Sequence, residues 1–267
     1  MSFLNYKNLK DPLISIITVS YNSEKTIRDT LQSVMLQDKN LFEYIIIDGG
    51  SSDRTLEIIN EFDFIDILIS EKDKGIYDGM NKGIHLAKGK FIGFLNSDDL
   101  FANKDVLSDI DKALSNQNTD IIFGDIRYFK DNIKDITRIW VSGEYKKGSF
   151  NHGWHPPHPA FYAKKDMFEK FGGFNLDLKI AADFELMLRF FLKTTKKPIY
   201  INTDFVLMRE GGASHINRFQ GNKDVLRAFE LNNIKVNKFY YLFRRLFLKS
   251  INNYFIYPLK KLFNREL

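Results

Sequence analysis

The sequence predicts an α/β protein whose mostly parallel sheet is flanked by helices. Short apolar runs with little charge recur in the first part of the chain, as central strands of a parallel sheet do. A polar turn follows each run, and apolar residues at helical spacing follow the turns. The runs lie at 13–19, 44–47, 65–69 and 90–95.

Each run is predicted to be a strand with a helix behind it, and Ser23 can cap the first helix. Alternating strands and helices of this length imply right-handed crossovers and therefore parallel strands. The loop at 153–159 contains three prolines, which should exclude a helix there. The other predicted elements are helices at 77–87 and 103–115, a strand at 120–123, a hairpin at 128–141, helices at 165–171 and from 183, and a last strand at 205–208.

The length of 267 residues suits one large α/β domain, or one domain with an appendage. The absence of cysteine excludes a disulfide framework and a cysteine-ligated zinc site, and it fits a reducing compartment. We find no apolar leader behind basic residues, and no apolar run near the roughly 20 residues that span a bilayer. The expectation is a soluble or peripheral protein.

Positive charge is concentrated at the C-terminus. The formal net charge is +5, but from Arg218 onward eleven Lys and Arg stand against three acidic residues, a balance of +8. This asymmetry predicts a near-neutral domain at 1–217 and a basic helical extension at 218–267.

The extension contains an amphipathic helical pattern. Its cationic face has Lys238, Arg245 and Lys249, and its apolar face has Phe239, Phe243 and Leu246. Such a helix gains from apolar burial and from anionic head groups, so we predict an anionic membrane surface as its partner. Packing on the domain itself or on a second subunit is the alternative. Nucleic acid is not expected, because no recognition motif accompanies the charge.

The stretch most informative about function is 90–99, KFIGFLNSDD. Its apolar part predicts a buried strand, which places Asp98 and Asp99 at the carboxyl end, where ligands bind in open α/β sheets. Two adjacent carboxylates repel each other, so they call for a partner such as a divalent cation. The alternative is that Asp99 caps a helix that begins near residue 103.

Two other strand ends carry polar groups, Tyr21-Asn22 and Asp48-Gly49-Gly50. In a parallel sheet these two ends and the end that carries Asp98 and Asp99 lie along one edge, where they can contact one ligand. Asp48 can accept hydrogen bonds from a base or ribose, although the same residues can form an ordinary turn. No G-x-G-x-x-G follows the first strand, which argues against a nicotinamide dehydrogenase.

Five motifs in order give the chain a family resemblance. They are IITVSYN at 16–22, IDGGSSDRT at 47–55, SEKDKGIYDGMNKG at 70–83, FLNSDD at 94–99 and AADFEL at 181–186. Over about 12–214 the chain resembles a bacterial family 2 glycosyltransferase of the GT-A type, most similar to those that build O-antigen or capsule repeats. The resemblance implies a GT-A-like (Rossmann-like) sheet with a nucleotide-binding half at about 12–125 and an acceptor half at 126–217.

The resemblance also implies roles for matching positions. Asp98 and Asp99 match the D-x-D region, where one carboxylate binds Mn²⁺ or Mg²⁺ and the other orients ribose or metal. Asn96 stands where many relatives have the first Asp of that region, which removes a charge. Gly49 stands where many have a second Asp, so the base contact is expected to rest on Asp48 alone. The implied nucleotide contacts are Thr18, Val19, Tyr21, Asn22, Asp48, Asp73, Asn81, Ser97 and Asp98.

Asp183 is the candidate base for the proton of the acceptor hydroxyl, because a carboxylate can take a proton in concert with bond formation. It could instead merely cap a helix. Glu185 is the second candidate base. The residues expected to line the sugar or acceptor pocket are Trp154, His155, His158, Glu185 and His215.

The implied reaction transfers a hexose from a nucleotide sugar, expected to be a UDP-sugar, to a hydroxyl of a saccharide or polyprenyl-diphosphate-linked acceptor, with inversion. The implied setting is surface polysaccharide biosynthesis at the cytoplasmic face of the cell membrane. Two alternatives stay open. A nucleotidyltransferase would show a basic, glycine-rich loop after the first strand, which 20–23 lacks, and a degenerate binding module would not need Asp98, Asp99 and Asp183 intact.

Overall fold

The computed structural model describes residues 11–211 and 218–251. Strands and helices alternate over residues 14–94, and after residue 94 the alternation is irregular. The strands are β1 Ile14–Ser20, β2 Phe42–Asp48, β3 Ile67–Ser70, β4 Phe91–Phe94, β5 Leu100–Phe101, β6 Ile121–Phe129, β7 Ile136–Trp140, β8 Phe161–Lys164 and β9 Ile199–Arg209. The helices are α1 Ile27–Met35, α2 Thr55–Ile59, α3 Ile76–Leu86, α4 Val106–Asn116, α5 Lys165–Phe171, α6 Ala182–Lys193, α7 Arg218–Leu231 and α8 Lys238–Ile251.

The strands form one sheet in the order β3-β2-β1-β4-β8-β6-β9-β5, with β7 paired to β6. The first four strands are parallel, and their register places Ser20 beside Asp48 and Asp48 beside Ser70. β8 runs antiparallel between β4 and β6. The carboxyl ends of β1, β2 and β4 therefore share one edge of the sheet, as the sequence predicted.

Apolar side chains cover both faces of the sheet. α1, α2 and α4 pack on one face, with Leu31 and Ile110 in its core. α3, α5, α6 and α7 pack on the other, where aromatic rings gather around Phe191. Adjacent residues of β1 serve different faces, since Ile16 belongs to the first core and Ile17 to the second. Burial on both faces explains why the strand runs carry so little charge.

The predicted fold class is confirmed, and so is the predicted hairpin, formed by β6 and β7. Two strands were not predicted. β5 has only two residues and β8 follows directly on the proline loop, so neither produces a recognisable alternation. β9 begins at Ile199, earlier than predicted, because polar residues interrupt its first half.

Two local predictions are corrected. Ser23 does not cap α1 with its side chain: Thr26 precedes the helix, and the Ser23 carbonyl accepts from its N–H at 3.0 Å. The proline loop does contain helical backbone, a single 3-10 turn at His158–Ala160. A proline in the first turn is compatible with it, because the N–H that proline lacks would be unpaired there anyway.

Part of the C-terminal extension packs into the core that contains α6. Phe229 of α7 contacts Phe184 with ring centroids 5.6 Å apart, and it contacts Tyr241 of α8 at 4.9 Å. On another side of α8, Phe239 and Phe243 are 89% and 66% exposed. One face of the extension is therefore docked on the domain and another is open. The side chains of Arg245 and Lys249, which the cationic face included, lie outside the described part.

Across 11–211 and 218–251, none of the helices combines the length and the hydropathy that crossing a bilayer requires.

Candidate functional site

The loop after β2 is built around the carboxylate of Asp48, which is 0% exposed. Its Oδ1 accepts from the hydroxyls of Ser20 and Ser51, at 3.1 and 2.5 Å. Its Oδ2 accepts from the Ser70 hydroxyl at 2.7 Å and from the N–H groups of Gly50 and Ser51 at 3.1 and 2.9 Å. Five donors use the acceptor capacity of one carboxylate. The expected contact between Asp48 and the base is corrected: Asp48 shapes the loop.

Asp73 lies over the glycines of this loop. A Cβ at Gly49 would stand 2.7 Å from Oδ2 of Asp73, and a Cβ at Gly79 would stand 3.3 Å from the same atom. Oδ1 accepts from the N–H of Gly75 at 2.9 Å. Within the described residues Oδ2 accepts no hydrogen bond. A carboxylate oxygen of Asp73 therefore lies where a side chain at position 49 would begin, and no described residue donates a hydrogen bond to that oxygen.

Asp98 and Asp99 follow β4 at the same edge. Asp99 is 1% exposed, its Oδ1 accepts from the backbone N–H of Arg209 at 3.0 Å, and its Oδ2 accepts from the Asn96 amide at 2.8 Å. α4 begins only at Val106, so the alternative in which Asp99 caps that helix is wrong. Asp98 is half-buried, and no other residue of the described part donates a hydrogen bond to its carboxylate.

The electrostatics of this pair fit a cation. Burial raises the pKa of Asp98 above its ordinary value. Burial first, and then the charge of Asp98, raises the pKa of Asp99 well above its ordinary value, while Arg209 opposes both shifts. No cluster of three or more His, Cys, Asp or Glu in the described ranges could hold a metal. A divalent ion here would rest on one or two carboxylates and on substrate phosphates, as Mg²⁺ commonly does.

Asp183 stands in the first turn of α6, and Ala181, not Asp183, is the residue that precedes the helix. The alternative in which Asp183 caps α6 is therefore corrected. Oδ1 accepts from the N–H of Phe184 at 2.8 Å and lies 3.2 Å from the hydroxyl of Tyr77. Oδ2 takes no hydrogen bond within the described residues, so half of the carboxylate is held and half is available.

Glu185 is not available as a base or as a pocket residue. It is 4% exposed, forms an ion pair with Arg189 at 2.9 Å and accepts from the amide of Asn232 at 3.0 Å. Arg189 also donates to the carbonyls of Gly172 and Gly173, at 2.8 and 2.7 Å. The second candidate base is thereby corrected to a structural residue that joins α6 to the neighbouring loop and to the end of α7.

The side chains of two predicted nucleotide contacts form hydrogen bonds with other parts of the protein. Thr18 is 0% exposed, and its hydroxyl donates to the carbonyl of Leu95 at 2.8 Å. The Asn81 amide donates to the carbonyl of Phe174 at 2.9 Å and accepts from the N–H of Phe174 at 2.8 Å. Both expectations are corrected, because these side chains join segments far apart in sequence.

The other predicted nucleotide contacts lie at the open edge. Tyr21 is 65% exposed. Asn22 has φ of 48°, a left-handed conformation that Asn tolerates better than most residues. The hydroxyls of Ser97 and Ser23 are hydrogen-bonded at 2.8 Å, which ties the end of β4 to the loop after β1. The predicted residues that share this edge are Val19, Tyr21, Asn22, Asp73, Ser97 and Asp98.

The predicted pocket residues of the proline loop are more enclosed than expected. The indole N–H of Trp154 donates to the carbonyl of Ser142 at 2.6 Å, and its ring meets Phe191 edge-on at 5.7 Å. His155 meets the rings of Trp140 and Phe184 edge-on at 5.0 and 5.3 Å. Trp154 therefore packs against the aromatic core with its indole N–H already used, and its place in the lining of a sugar or acceptor pocket stays a prediction.

His158 is buried between β4 and the loop after α5. Its ring stacks on Phe94 at 5.3 Å and meets Phe174 edge-on at 5.6 Å. Its Nε2 has no hydrogen-bond partner in the described part of the chain. Burial lowers the pKa of His158 below its ordinary value, against the opposing charge of Asp183. His215, the remaining pocket residue, lies outside the described residues.

Two residues of the site were not predicted. Tyr77 approaches Asp183, and its place inside the 70–83 motif was the available signal. Arg209 meets Asp99 through a backbone N–H, and such a contact leaves no signal in the side-chain pattern.

This fold, with adjacent carboxylates after β4 and another at the start of α6, is that of a GT-A glycosyltransferase. The family model of glycosyl transferase family 2 matches residues 15–173. The chain belongs to that family.

Relatives and solved structures agree with this assignment. The PGL/p-HBAD biosynthesis glycosyltransferase of Mycobacterium bovis is 29% identical over 185 residues, which cover 67% of this chain and 70% of that protein. S. aureus TarS 1-349 in complex with UDP-GlcNAc shares the fold with a TM-score of 0.66 and 18% identity, covering 95% of this chain and 76% of that one. The mannosyltransferase PcManGT of Pyrobaculum calidifontis, in complex with GDP-Man and Mn²⁺, gives a TM-score of 0.64 and 17% identity, covering 91% and 71%.

Proposed function

We propose that this glycosyltransferase moves a hexose from a UDP-sugar to a hydroxyl of a saccharide acceptor, depends on Mn²⁺ or Mg²⁺, and inverts the anomeric carbon. The UDP-GlcNAc complex of TarS supports the donor, and the Mn²⁺ complex of PcManGT supports the metal. The name of the M. bovis relative supports a biosynthetic role.

The observation that carries the proposal is the contrast between held and available carboxylates at one edge. Asp73 and Asp183 each have one oxygen fixed by the protein and one without a partner among the described residues. Both are tied to the N-terminal part of α3, Asp73 through Gly75 and Asp183 through Tyr77. Asp98 completes the set at the end of β4. In the proposal, these carboxylates serve the base and the diphosphate of the donor and the hydroxyl of the acceptor.

In the proposed reaction Asp73 accepts the imide N–H of uracil, and Asp98 holds the cation. When bound, the cation would stabilise the negative charge that develops on the leaving diphosphate. Asp183 takes the proton of the acceptor hydroxyl as that oxygen attacks the anomeric carbon, and Oδ2 is the atom that receives it. Attack from the side opposite the diphosphate gives inversion.

The proposed acceptor is a polyprenyl-diphosphate-linked saccharide at the cytoplasmic face of the cell membrane, in the assembly of O-antigen or capsule repeats. A peripheral attachment through α8 would serve such an acceptor. The apolar face of α8 supports this attachment, because Phe239, Phe243 and Leu246 are 89%, 66% and 67% exposed. The sequence balance of +8 from residue 218 onward supports an anionic surface as the partner, and the exposed apolar face beside it supports a lipid one.

The catalytic proposal is tested by UDP release from UDP-glucose, UDP-galactose and UDP-GlcNAc with MnCl₂, together with UDP affinity by calorimetry. Asp183→Asn should lower turnover about 10²- to 10⁴-fold while UDP affinity changes little. Asp177→Asn, an exposed carboxylate in the same loop region, is the matched control and should leave both unchanged. Turnover that survives Asp183→Asn would remove Asp183 as the base.

The membrane attachment is tested by flotation of the full chain with phosphatidylglycerol vesicles. A Phe239→Ser/Phe243→Ser variant should lose binding that Ile133→Ser retains, since Ile133 is 50% exposed on the β6–β7 turn, away from α8. Equal flotation of the two variants would contradict attachment through α8.

A further inference from the structure

The backbone of Ile180, three residues before Asp183, is held from two sides. Its N–H donates to Oδ2 of Asp224 at 2.7 Å, and its carbonyl accepts from the hydroxyl of Tyr77 at 2.6 Å. Asp224 belongs to α7 and Tyr77 to α3. The segment that leads into the proposed base is therefore fixed between the nucleotide-binding half and the C-terminal extension.

We infer that Tyr77 and Asp224 are positioning residues for Asp183, and that α7 is thereby part of the catalytic apparatus. The inference rests on the proposed role of Asp183 as base. It assigns to the extension a function that its charge does not suggest.

The Tyr77 side of this arrangement is rigid. Besides the Ile180 carbonyl, the hydroxyl of Tyr77 approaches Oδ1 of Asp183 at 3.2 Å. Its ring stacks on Phe174 with centroids 5.3 Å apart, and the backbone of Phe174 is in turn held by both atoms of the Asn81 amide. Burial, and then the charge of Asp183, raises the pKa of Tyr77, so the hydroxyl stays protonated and remains a donor.

The Asp224 side is equally constrained. Asp224 is 4% exposed, and its Oδ1 accepts from the amide of Gln220 one turn earlier at 2.7 Å. Packing adds to these bonds, because a Cβ at Gly221 would stand 3.4 Å from Cγ2 of Ile180. A buried carboxylate whose oxygens both accept hydrogen bonds has little freedom to move. The position of the Ile180 peptide therefore follows the position of α7.

The energetic consequence follows from the geometry that proton transfer needs. A base must lie within hydrogen-bond reach of the proton it takes, and a misplacement of about 1 Å can cost on the order of 10²-fold in rate. Loss of either anchor should lower kcat and leave the binding of UDP and Mn²⁺ almost unchanged, because neither Tyr77 nor Asp224 is among the residues proposed to hold them.

The variants are Tyr77→Phe, which removes one hydroxyl, Asp224→Ala, and Asp224→Asn, which keeps an oxygen for the Ile180 N–H. Glu230→Gln, an exposed carboxylate on α7, is the matched control. We expect kcat for UDP release to fall roughly 10- to 100-fold in Tyr77→Phe and in Asp224→Ala. In Asp224→Asn, kcat should stay within about threefold of the parent value. The affinity for UDP with MnCl₂ should be unchanged in all of the variants. Hydrogen exchange of the Ile180 amide should accelerate in Asp224→Ala and stay slow in Glu230→Gln, a result that needs no turnover.

Combination with Asp183→Asn separates positioning from a general structural role. If Tyr77 and Asp224 act through Asp183, Tyr77→Phe and Asp224→Ala add no further loss to the Asp183→Asn enzyme. A full additional loss in that background, or unchanged exchange at Ile180, would overturn the inference. The inference would also fail alone, with the proposed function intact, if Asp183→Asn abolished turnover while Tyr77→Phe and Asp224→Ala were as active as the parent.

Discussion

Asp98 and Asp99 are adjacent, yet within the described part only the carboxylate of Asp99 accepts hydrogen bonds from other residues, the N–H of Arg209 and the amide of Asn96. Asp98 is consequently the better candidate metal ligand, and Asp99 links the end of β4 to the end of β9. Which of the two carboxylates binds the cation could not be decided from their order in sequence.

Asp98→Asn should weaken Mn²⁺-dependent UDP binding at least tenfold with little change in the melting temperature, because it removes a charge and no other residue of the described part donates a hydrogen bond to that carboxylate. Asp99→Ala should destabilise the fold by about 1 to 3 kcal/mol, because it leaves a buried N–H without a partner. Calorimetry with UDP and MnCl₂, and urea unfolding, measure the two effects. Equal losses of UDP affinity in Asp98→Asn and in Asp99→Asn, which preserves the size of Asp99, would contradict this division.

Substitutions at Asp73 and at Asp48 should likewise separate a loss of UDP affinity from a loss of folding stability. Asp73→Ala is expected to lower UDP affinity about tenfold, the usual value of one hydrogen bond to a charged group, with stability unchanged. Asp48→Ala is expected to cost about 3 kcal/mol of folding free energy, since buried N–H groups of its loop lose their acceptor. If Asp48→Asn bound UDP poorly at full stability, Asp48 would have to contact the base directly.

The Glu185–Arg189 ion pair should matter for stability and not for turnover. Glu185→Ala leaves the guanidinium of Arg189 buried with only carbonyl partners, which should destabilise the fold by about 3 kcal/mol. The rate per folded molecule should stay near the parent value at a temperature well below the transition. A rate as low as that of Asp183→Asn at full stability would restore Glu185 as a candidate base.

His158 should make the fold sensitive to acid. Burial depresses the pKa of His158 in the folded state, so between that pKa and the ordinary value of about 6.5 the unfolded chain binds more protons than the folded one. Stability should therefore be intact above about pH 6.5 and fall as the pH drops below it, by up to about 1 kcal/mol one unit lower. His158→Phe, which can keep the contact with Phe94, should show a smaller loss of melting temperature between pH 7.5 and 5.5. An identical pH dependence in the two proteins would show that His158 does not cause the loss.

The alternating half of the fold followed from the sequence because its strands are buried on both faces and each is followed by a turn. β1, β2 and β4, and the polar groups at their ends, were recognisable from local patterns alone. Asp98, Asp73 and Asp183 were likewise selected as candidates from motifs, since each side chain belongs to a short, distinctive segment.

The residues whose predicted roles were corrected have hydrogen-bond partners that local sequence does not reveal. Thr18, Asn81 and Glu185 have partners far away in sequence or in another layer of the fold, and a polar residue in a motif gives no sign of whether it points to a ligand or to the protein. Asp48 shows the same limit within its own loop. Its five donors come from two strand ends and the glycine turn, and only the packed sheet brings them together.

The bond between Asp99 and Arg209 joins residues 110 positions apart. During synthesis the ribosome completes the motif at 94–99 long before it makes β9, so the nascent chain lacks the partner that orders this acidic pair. A fragment limited to 15–173, the span of the family model, would be in the same state permanently. The acidic pair of the emerging chain should thus lack its backbone donor until translation has passed residue 209.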